Sequence, residues 1–228
     1  MWAELKNFTM SNCGAPHRDH SDNYKLVSNV MGILAAVFVA QRFAFKLHAK
    51  MPLTMDDWFT MATMLSTVPS MVINSHGVTQ AGLGRDLWTL TPKQITDFGR
   101  YFYMLAIFYF TQVALLKLSM LFFYMRIFPS KATQNIIWGT VIFDCLFGLA
   151  YVLIAIFQCR PIHHFWVKWD RQHEGQCLDI NGITWSNAAI SIALDCWMIA
   201  IPLWHLHRLQ LDWRKKIGVA LMFIVGTL

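Results

Sequence analysis

Between Tyr101 and Phe128 the chain is an almost unbroken apolar and aromatic run, with a single lysine, Lys117, inside it and Arg126 near its close. As a helix rising 1.5 Å per residue the run is about 42 Å long. The hydrocarbon core of a bilayer is about 30 Å thick. A helix that is apolar on every face must be buried on every face, so this one predicts a membrane span. Lys117 then becomes the constraint. A charge at that depth costs about 2.5–3.5 kcal/mol on insertion scales, so it must be paired, hydrated or neutralised.

Composition extends the conclusion to the whole chain. Of its 228 residues 56% are hydrophobic and 14% charged, against about 45–50% and 25% in soluble domains. The net charge of +6 does not point to nucleic acid, because the basic residues fall in short loops between apolar runs, where they set orientation in the bilayer. Residues 1–22 are polar and lack the apolar core of a signal peptide, so the first span is expected to direct its own insertion.

Taken in order, residues 1–23 form an extramembrane segment holding Cys13 and the sequon Asn7-Phe8-Thr9, which makes Asn7 a candidate glycosylation site. Span 1 runs from Tyr24 to Phe45 and is followed by a short basic loop. Span 2 opens on Asp56-Asp57-Trp58 and runs to about Val78, with Pro69 inside it as an expected kink. The two carboxylates suit the positive end of a helix dipole. Thr91-Pro92 marks a helix start ahead of span 3, the Tyr101–Phe128 run. Span 4 covers residues 135–158 and carries Asp144. Span 5 covers residues 183–206 and carries Asp195 and Pro202. A basic loop follows, and the last run, Ile217–Leu228, is too short to span. The predicted fold is all-α: a polytopic transmembrane helix bundle of five complete spans plus part of a sixth, with residues 24–228 as one transmembrane domain.

Orientation is not fixed by counting basic residues, since nine fall on either side. Shorter basic loops on one side, and Cys13, Cys159, Cys177 and the sequon on the other, favour an N-terminus outside. On that topology Lys117, Asp144 and Asp195 lie about 13.5–15 Å from the inner ends of spans 3, 4 and 5. One base and two acids at one depth predict a buried charge layer in which Lys117 pairs with Asp195 or Asp144. It is compatible with packing glue, a switch broken on activation, or an ion path. Cys159 and Cys177 bracket an outer loop of seventeen residues, and a bridge there would contribute about 3 kcal/mol; Cys13 is the competing partner. No Ser–His–Asp set, paired catalytic carboxylates or metal-ligand spacing stands out, so neither an enzyme nor a metal site is expected.

Several motifs share an order and spacing across nearly the whole chain. They are Asp56-Asp57-Trp58; Gly82-Leu83-Gly84; Lys117-Leu118-Ser119 followed by Phe123-Tyr124-Met125-Arg126-Ile127-Phe128; Cys159-Arg160-Pro161 with Trp166 and Cys177; and Asp195 ahead of Ile201-Pro202-Leu203-Trp204. In this the chain resembles the fungal rhodopsin-domain integral membrane proteins. The resemblance implies a seven-span architecture, here truncated within span 6. It also implies an N-terminus outside, a plasma-membrane location and a receptor-like role, without implying retinal; no cofactor is expected. The resulting expectation is a receptor-like protein, possible kin of G-protein-coupled receptors, that sits in the lipid bilayer and senses an unknown extracellular ligand. A ligand would enter under the Cys159–Cys177 loop, and an intracellular signalling partner would meet the loops after spans 3 and 5. The alternative is a secondary transporter that uses the Lys/Asp layer.

Overall fold

The computed structural model describes residues 19–86, 89–170 and 172–208, together with Thr9, Asn12 and Cys13. Asn7, the basic residues Arg214, Lys215 and Lys216 and the Ile217–Leu228 run lie outside the described residues. The described chain is mostly helical: α1 (Ser21–His48), α2 (Met55–Val72), a π-helical turn (Ile73–Val78), α3 (Pro92–Ile127), α4 (Lys131–Ile156), the short α5 (His164–Val167) and α6 (Ile180–Arg208). A two-residue hairpin of β1 (Cys159–Arg160) against β2 (Gln176–Cys177) is the one sheet among the described residues.

Four of these helices, α1, α3, α4 and α6, are long and apolar enough to cross a membrane. That is one fewer than the five complete spans expected. The difference is α2, an 18-residue helix with two aspartates in its first turn, which continues into the six-residue π-helical turn. The irregular turn starts four residues after Pro69, whose missing N–H leaves the Leu65 carbonyl, one turn earlier, without its helical donor. Outward faces are strongly apolar: Phe38, Leu65, Leu146 and Trp185 are each more than 60% exposed. Lipid, not water, accommodates such faces.

α3 is the central element. Thr91 caps it, its hydroxyl accepting from Gln94 N while Gln94 Oε1 accepts from Thr91 N, and Pro92 occupies the first turn. Its 36 residues measure about 54 Å, well beyond the bilayer core, so its first turns project past the apolar run. One end of α3 packs on α2, α4 and α6 around Leu118, Leu121, Tyr124, Ile137, Val141, Met198 and Ile201. The other end supports the segment between α4 and α6. Gly148 of α4 faces Ala114 of α3 so closely that a Cβ there would fall 2.6 Å from the Ala114 Cβ. In an antiparallel pair that contact brings Asp144, one turn away on α4, opposite Lys117.

Candidate functional site

The segment between α4 and α6 forms a lid. Cys159 and Cys177 are register partners in the hairpin and are joined by a disulfide, while Cys13 is a free, exposed thiol. Between them α5 lies on the projecting end of α3. Tyr103 meets Phe165 and Trp166 at ring-centroid distances of 5.4 and 5.8 Å. Arg100 stands 5.7 Å over the Trp166 ring, and Trp169 Nε1 donates to Thr96 Oγ1 at 3.1 Å. Gly99 permits this seat, since a Cβ there would come within 2.9 Å of Trp166 Cβ.

Under the lid is a cavity of about 340 Å³, within the range of small-molecule sites. Its walls come from α1, the π-helical turn, α3, the end of α4, α5 and α6, with Phe102, Tyr109, Phe110, Phe165 and Ile183 among the apolar residues that line it. Two helices are tied together at its rim. Tyr24 OH donates to Asn74 Oδ1 at 3.1 Å and Asn74 Nδ2 donates to Ser28 Oγ at 2.9 Å. Gln158 and Asn187 also line the cavity. They are 6% and 5% exposed, and neither side-chain amide has a hydrogen-bond partner among the described residues.

One helical face leads from this cavity toward the charged residues. Asn187, Ser191 and Asp195 follow one another at four-residue intervals on α6, the spacing that stacks side chains along one face. Lys117 Nζ donates to the Ser191 carbonyl at 2.9 Å and to Asp195 Oδ1 at 2.6 Å. Lys117 is buried, whereas the Asp195 side chain is 48% exposed. Asp144 is 1% exposed, and neither of its carboxylate oxygens has a hydrogen-bond partner among the described residues. Of the expected layer, then, the structure joins Lys117 to Asp195 and leaves Asp144 beside them without a hydrogen bond. α4 and α6 are held at this level by Trp197 Nε1, which donates to Thr140 Oγ1 at 3.1 Å.

A second charged cluster at the end opposite the lid was not expected from the sequence. Arg42 Nη2 lies 2.5 Å from Asp56 Oδ2 and 3.2 Å from Asp57 Oδ1, and Lys46 Nζ lies 2.5 Å from Asp57 Oδ2. Asp57 Oδ2 also accepts from Thr54 N at 3.0 Å. Both aspartates are 1% exposed and Lys46 is 7% exposed. Ser119 of α3 joins the cluster to the bundle by donating to the Asp56 carbonyl at 3.0 Å. Asp56 and Asp57 therefore do more than meet a helix dipole, and Arg42 and Lys46 belong to α1 and pair with them, Lys46 buried and Arg42 partly open. The available signal was the spacing of Arg42 and Lys46, four residues apart at the end of a helix, one short loop before two adjacent acids. Among the described residues no group of three or more His, Cys, Asp or Glu side chains could hold a metal ion.

Sequence comparison places the chain among known proteins. The profile of the Fungal rhodopsin domain matches residues 41–228. A SAT4 family membrane protein of Emericella nidulans is 29% identical over 152 residues, covering 64% of this chain and 38% of that protein. The polyenoic acids biosynthesis gene cluster protein Ba17b of Metarhizium anisopliae is 23% identical over 201 residues, covering 86% of this chain and 54% of its own length. The satratoxin biosynthesis SC1 cluster protein 4 of Stachybotrys chartarum is 29% identical over 120 residues, covering 52% of this chain and 44% of its own length. The chain thus spans only about 38–54% of the length of these relatives. No solved structure matches. Helices apolar enough to cross a bilayer, a disulfide-closed lid and the profile match over residues 41–228 lead to one conclusion: the chain belongs to the fungal rhodopsin-domain family of multi-pass membrane proteins.

Proposed function

We propose that this chain is the ligand-sensing part of a receptor-like integral membrane protein, in which a small molecule entering the cavity under the lid changes the hold of Lys117 on α6. The observation that carries this is the α6 face itself. Asn187 lines the cavity, and one and two turns further on Ser191 and Asp195 are both held by Lys117. A ligand that moves Asn187 therefore displaces the two acceptors of the lysine. Strength in such a device comes from differential contact with two states. Lys117 has a second carboxylate, Asp144, within its own layer to turn to.

In this proposal the lid end faces outside, the protein resides in the plasma membrane, and α2 with its π-helical turn completes a fifth span of a seven-span architecture. The end carrying Arg42, Lys46, Asp56 and Asp57 then faces the cytoplasm. There the loop after α3, with the segment after α6, meets a signalling partner. No catalytic role is assigned. The related proteins from the polyenoic acids and satratoxin clusters are named for small-molecule biosynthesis, which is in keeping with a small molecule as the cue.

The test is signalling by the full-length protein, wild type against Lys117→Ala. An altered basal output at unchanged surface expression supports the switch. Loss of expression alone shows that the pair only holds the helices together. One observation favours a second reading, proton-coupled transport: the buried carboxylate of Asp144 lacks a hydrogen bond among the described residues, as a proton carrier would. Proton-coupled uptake that disappears in Asp144→Asn would establish transport in place of sensing.

A further inference from the structure

We infer that the cavity under the lid takes an uncharged, largely apolar small molecule bearing one neutral group that both donates and accepts hydrogen bonds, a hydroxyl or carboxamide, which the amides of Gln158 and Asn187 recognise. This deepens the sensing proposal and rests on it for the site, not for the chemistry of the ligand.

The first ground is the charge of the walls. No Lys, Arg, His, Asp or Glu lines the cavity among the described residues. An ionised ligand would lose its hydration with no counter-charge to replace it, which is a large cost in an apolar site. Along α6 the neighbouring charges are both acidic: Asp179, one residue before the lining Ile180, accepts from Asn181 N at 3.1 Å, and Asp195 is engaged by Lys117 of α3.

The second ground is the pair of amides. Each offers one acceptor oxygen and two donor hydrogens, and each is at least nine-tenths buried in the cavity wall. Tyr109 apart, the other polar side chains around the space are already in use. Asn74 is held by Tyr24 and Ser28, Thr184 Oγ1 donates to the Ile180 carbonyl at 2.8 Å, and Tyr103 OH donates to the Ile156 carbonyl at 2.8 Å. Buried amides are normally bonded, and leaving one unmet is unfavourable. A ligand supplying a donor and an acceptor at one end, with its apolar body against Phe102, Phe110 and Phe165, meets both requirements.

The third ground is the position of the amides. Gln158 precedes Cys159, the first residue of the lid hairpin, and its carbonyl accepts from Leu178 N at 2.8 Å, just past Cys177. Asn187 stands at the head of the face that leads to Lys117. A polar group held between the two would bridge the lid root to α6, so the same contact that selects the ligand also transmits its arrival.

The test uses purified full-length protein in nanodiscs and two photoreactive probes of identical twelve-carbon chain carrying a diazirine and an alkyne, one ending in a primary alcohol and the other in a carboxylate. Labelled peptides are located by mass spectrometry, with excess unlabelled dodecanol or dodecanoate as competitor. The expected result is competable labelling of α3 and α6 near the lid by the alcohol alone. Labelling should be lost in Ala106→Trp, which fills the space, and reduced about five- to tenfold in apparent affinity in Gln158→Leu and in Asn187→Leu. Variants enter the comparison only if their thermal midpoint and elution profile match wild type. Equal labelling by both probes, or full affinity in both leucine variants, overturns the proposal. Carboxylate labelling that is stronger than the alcohol's and is abolished by Ala106→Trp overturns the ligand class while leaving the cavity as the sensing site. Absence of competable labelling at the cavity by either probe overturns both the ligand class and the sensing site.

Discussion

Two groups of buried charge occupy opposite ends of one question in this bundle. At the end away from the lid, Arg42 and Lys46 face Asp56 and Asp57, two bases for two acids, and Asp57 has additional donors in Thr54. In the middle of the bundle Lys117 faces Asp195 and Asp144, one base for two acids, and Asp144 has no hydrogen bond among the described residues. The first group has its hydrogen-bonding capacity met from several directions, so any rearrangement loses something. The second has an acid to spare, so its lysine can exchange partners at little cost. A saturated cluster behaves as a clamp; an unbalanced one can behave as a switch. Burial alone does not separate them, since Asp56, Asp57 and Asp144 are all 1% exposed.

The strongest way to break this comparison is Asp57→Ala. It leaves Lys46 buried with Asp56 as its one remaining counter-charge among the described residues, Oδ2 3.9 Å from Lys46 Nζ, and with Thr54 Oγ1 at 3.5 Å. Removing one partner of a buried ion pair costs about 3–5 kcal/mol. Asp57→Ala should lower the thermal midpoint of the purified protein severely or abolish expression, with no change in ligand response in whatever folds. If Asp57→Ala melts with wild type, the clamp assignment fails.

The middle layer should respond less, and with two signs. Lys117→Met removes charge-assisted bonds to Asp195 and the Ser191 carbonyl; such bonds contribute about 1.5–3 kcal/mol each, and the exposure of Asp195 places the total at the low end, about 3 kcal/mol. Asp144→Leu goes the other way. A buried polar group without a hydrogen bond costs about 1–3 kcal/mol, so replacing it with an apolar side chain should raise the thermal midpoint, by the equivalent of about 1–2 kcal/mol. In a sensing assay the same substitution should reduce the response, because Lys117 has lost its alternative partner. A destabilised Asp144→Leu would mean that Asp144 is engaged in the resting state, and the contrast between the two clusters would collapse.

The sequence carried the helices and missed half of the site. Long apolar runs announced α1, α3, α4 and α6, and Lys117 announced itself by interrupting one of them. Its pairing with Asp195 or Asp144 followed from depth, which residue counting supplies; the choice of Asp195 needed the structure. α2 was harder, since two aspartates at its start and a π-helical turn at its end leave a helix of 18 residues. The far-end cluster was misread because Asp56-Asp57 has a sufficient local explanation in the helix dipole and Arg42 and Lys46 have one in topology; a pairing across a loop is a tertiary fact that neither explanation requires. The cavity amides gave no local signal at all. Gln158 and Asn187 become notable only once burial and the absence of partners are known. The lid was legible as a disulfide loop, but its seat was not, because the extension of α3 to Pro92 appears in sequence only as a helix start placed before the apolar run.

The smallest effect is expected at a third ion pair, which calibrates the other two. Arg85 Nε lies 3.1 Å from Asp19 Oδ2 at the lid end, with side chains 42% and 51% exposed. Pairs this open contribute little to stability. Asp19 is nevertheless held below the ordinary carboxylate value of 3.8, first by the Ser21 hydroxyl, then by the Ser21 backbone N–H, and last by Arg85. A carboxylate whose folded-state pKa is depressed contributes its stabilisation at pH above 3.8, and that contribution is lost as the pH falls through the folded-state value. Asp19→Asn should therefore melt within error of wild type at pH 7. It should also show a slightly shallower loss of thermal midpoint than wild type as the pH is taken from 5 to 3. A steep loss at pH 7 instead would mean that an exposed charge pair holds the N-terminal segment to the Gly82–Arg85 turn as firmly as the buried clusters hold their helices. Burial and saturation would then no longer rank the three pairs.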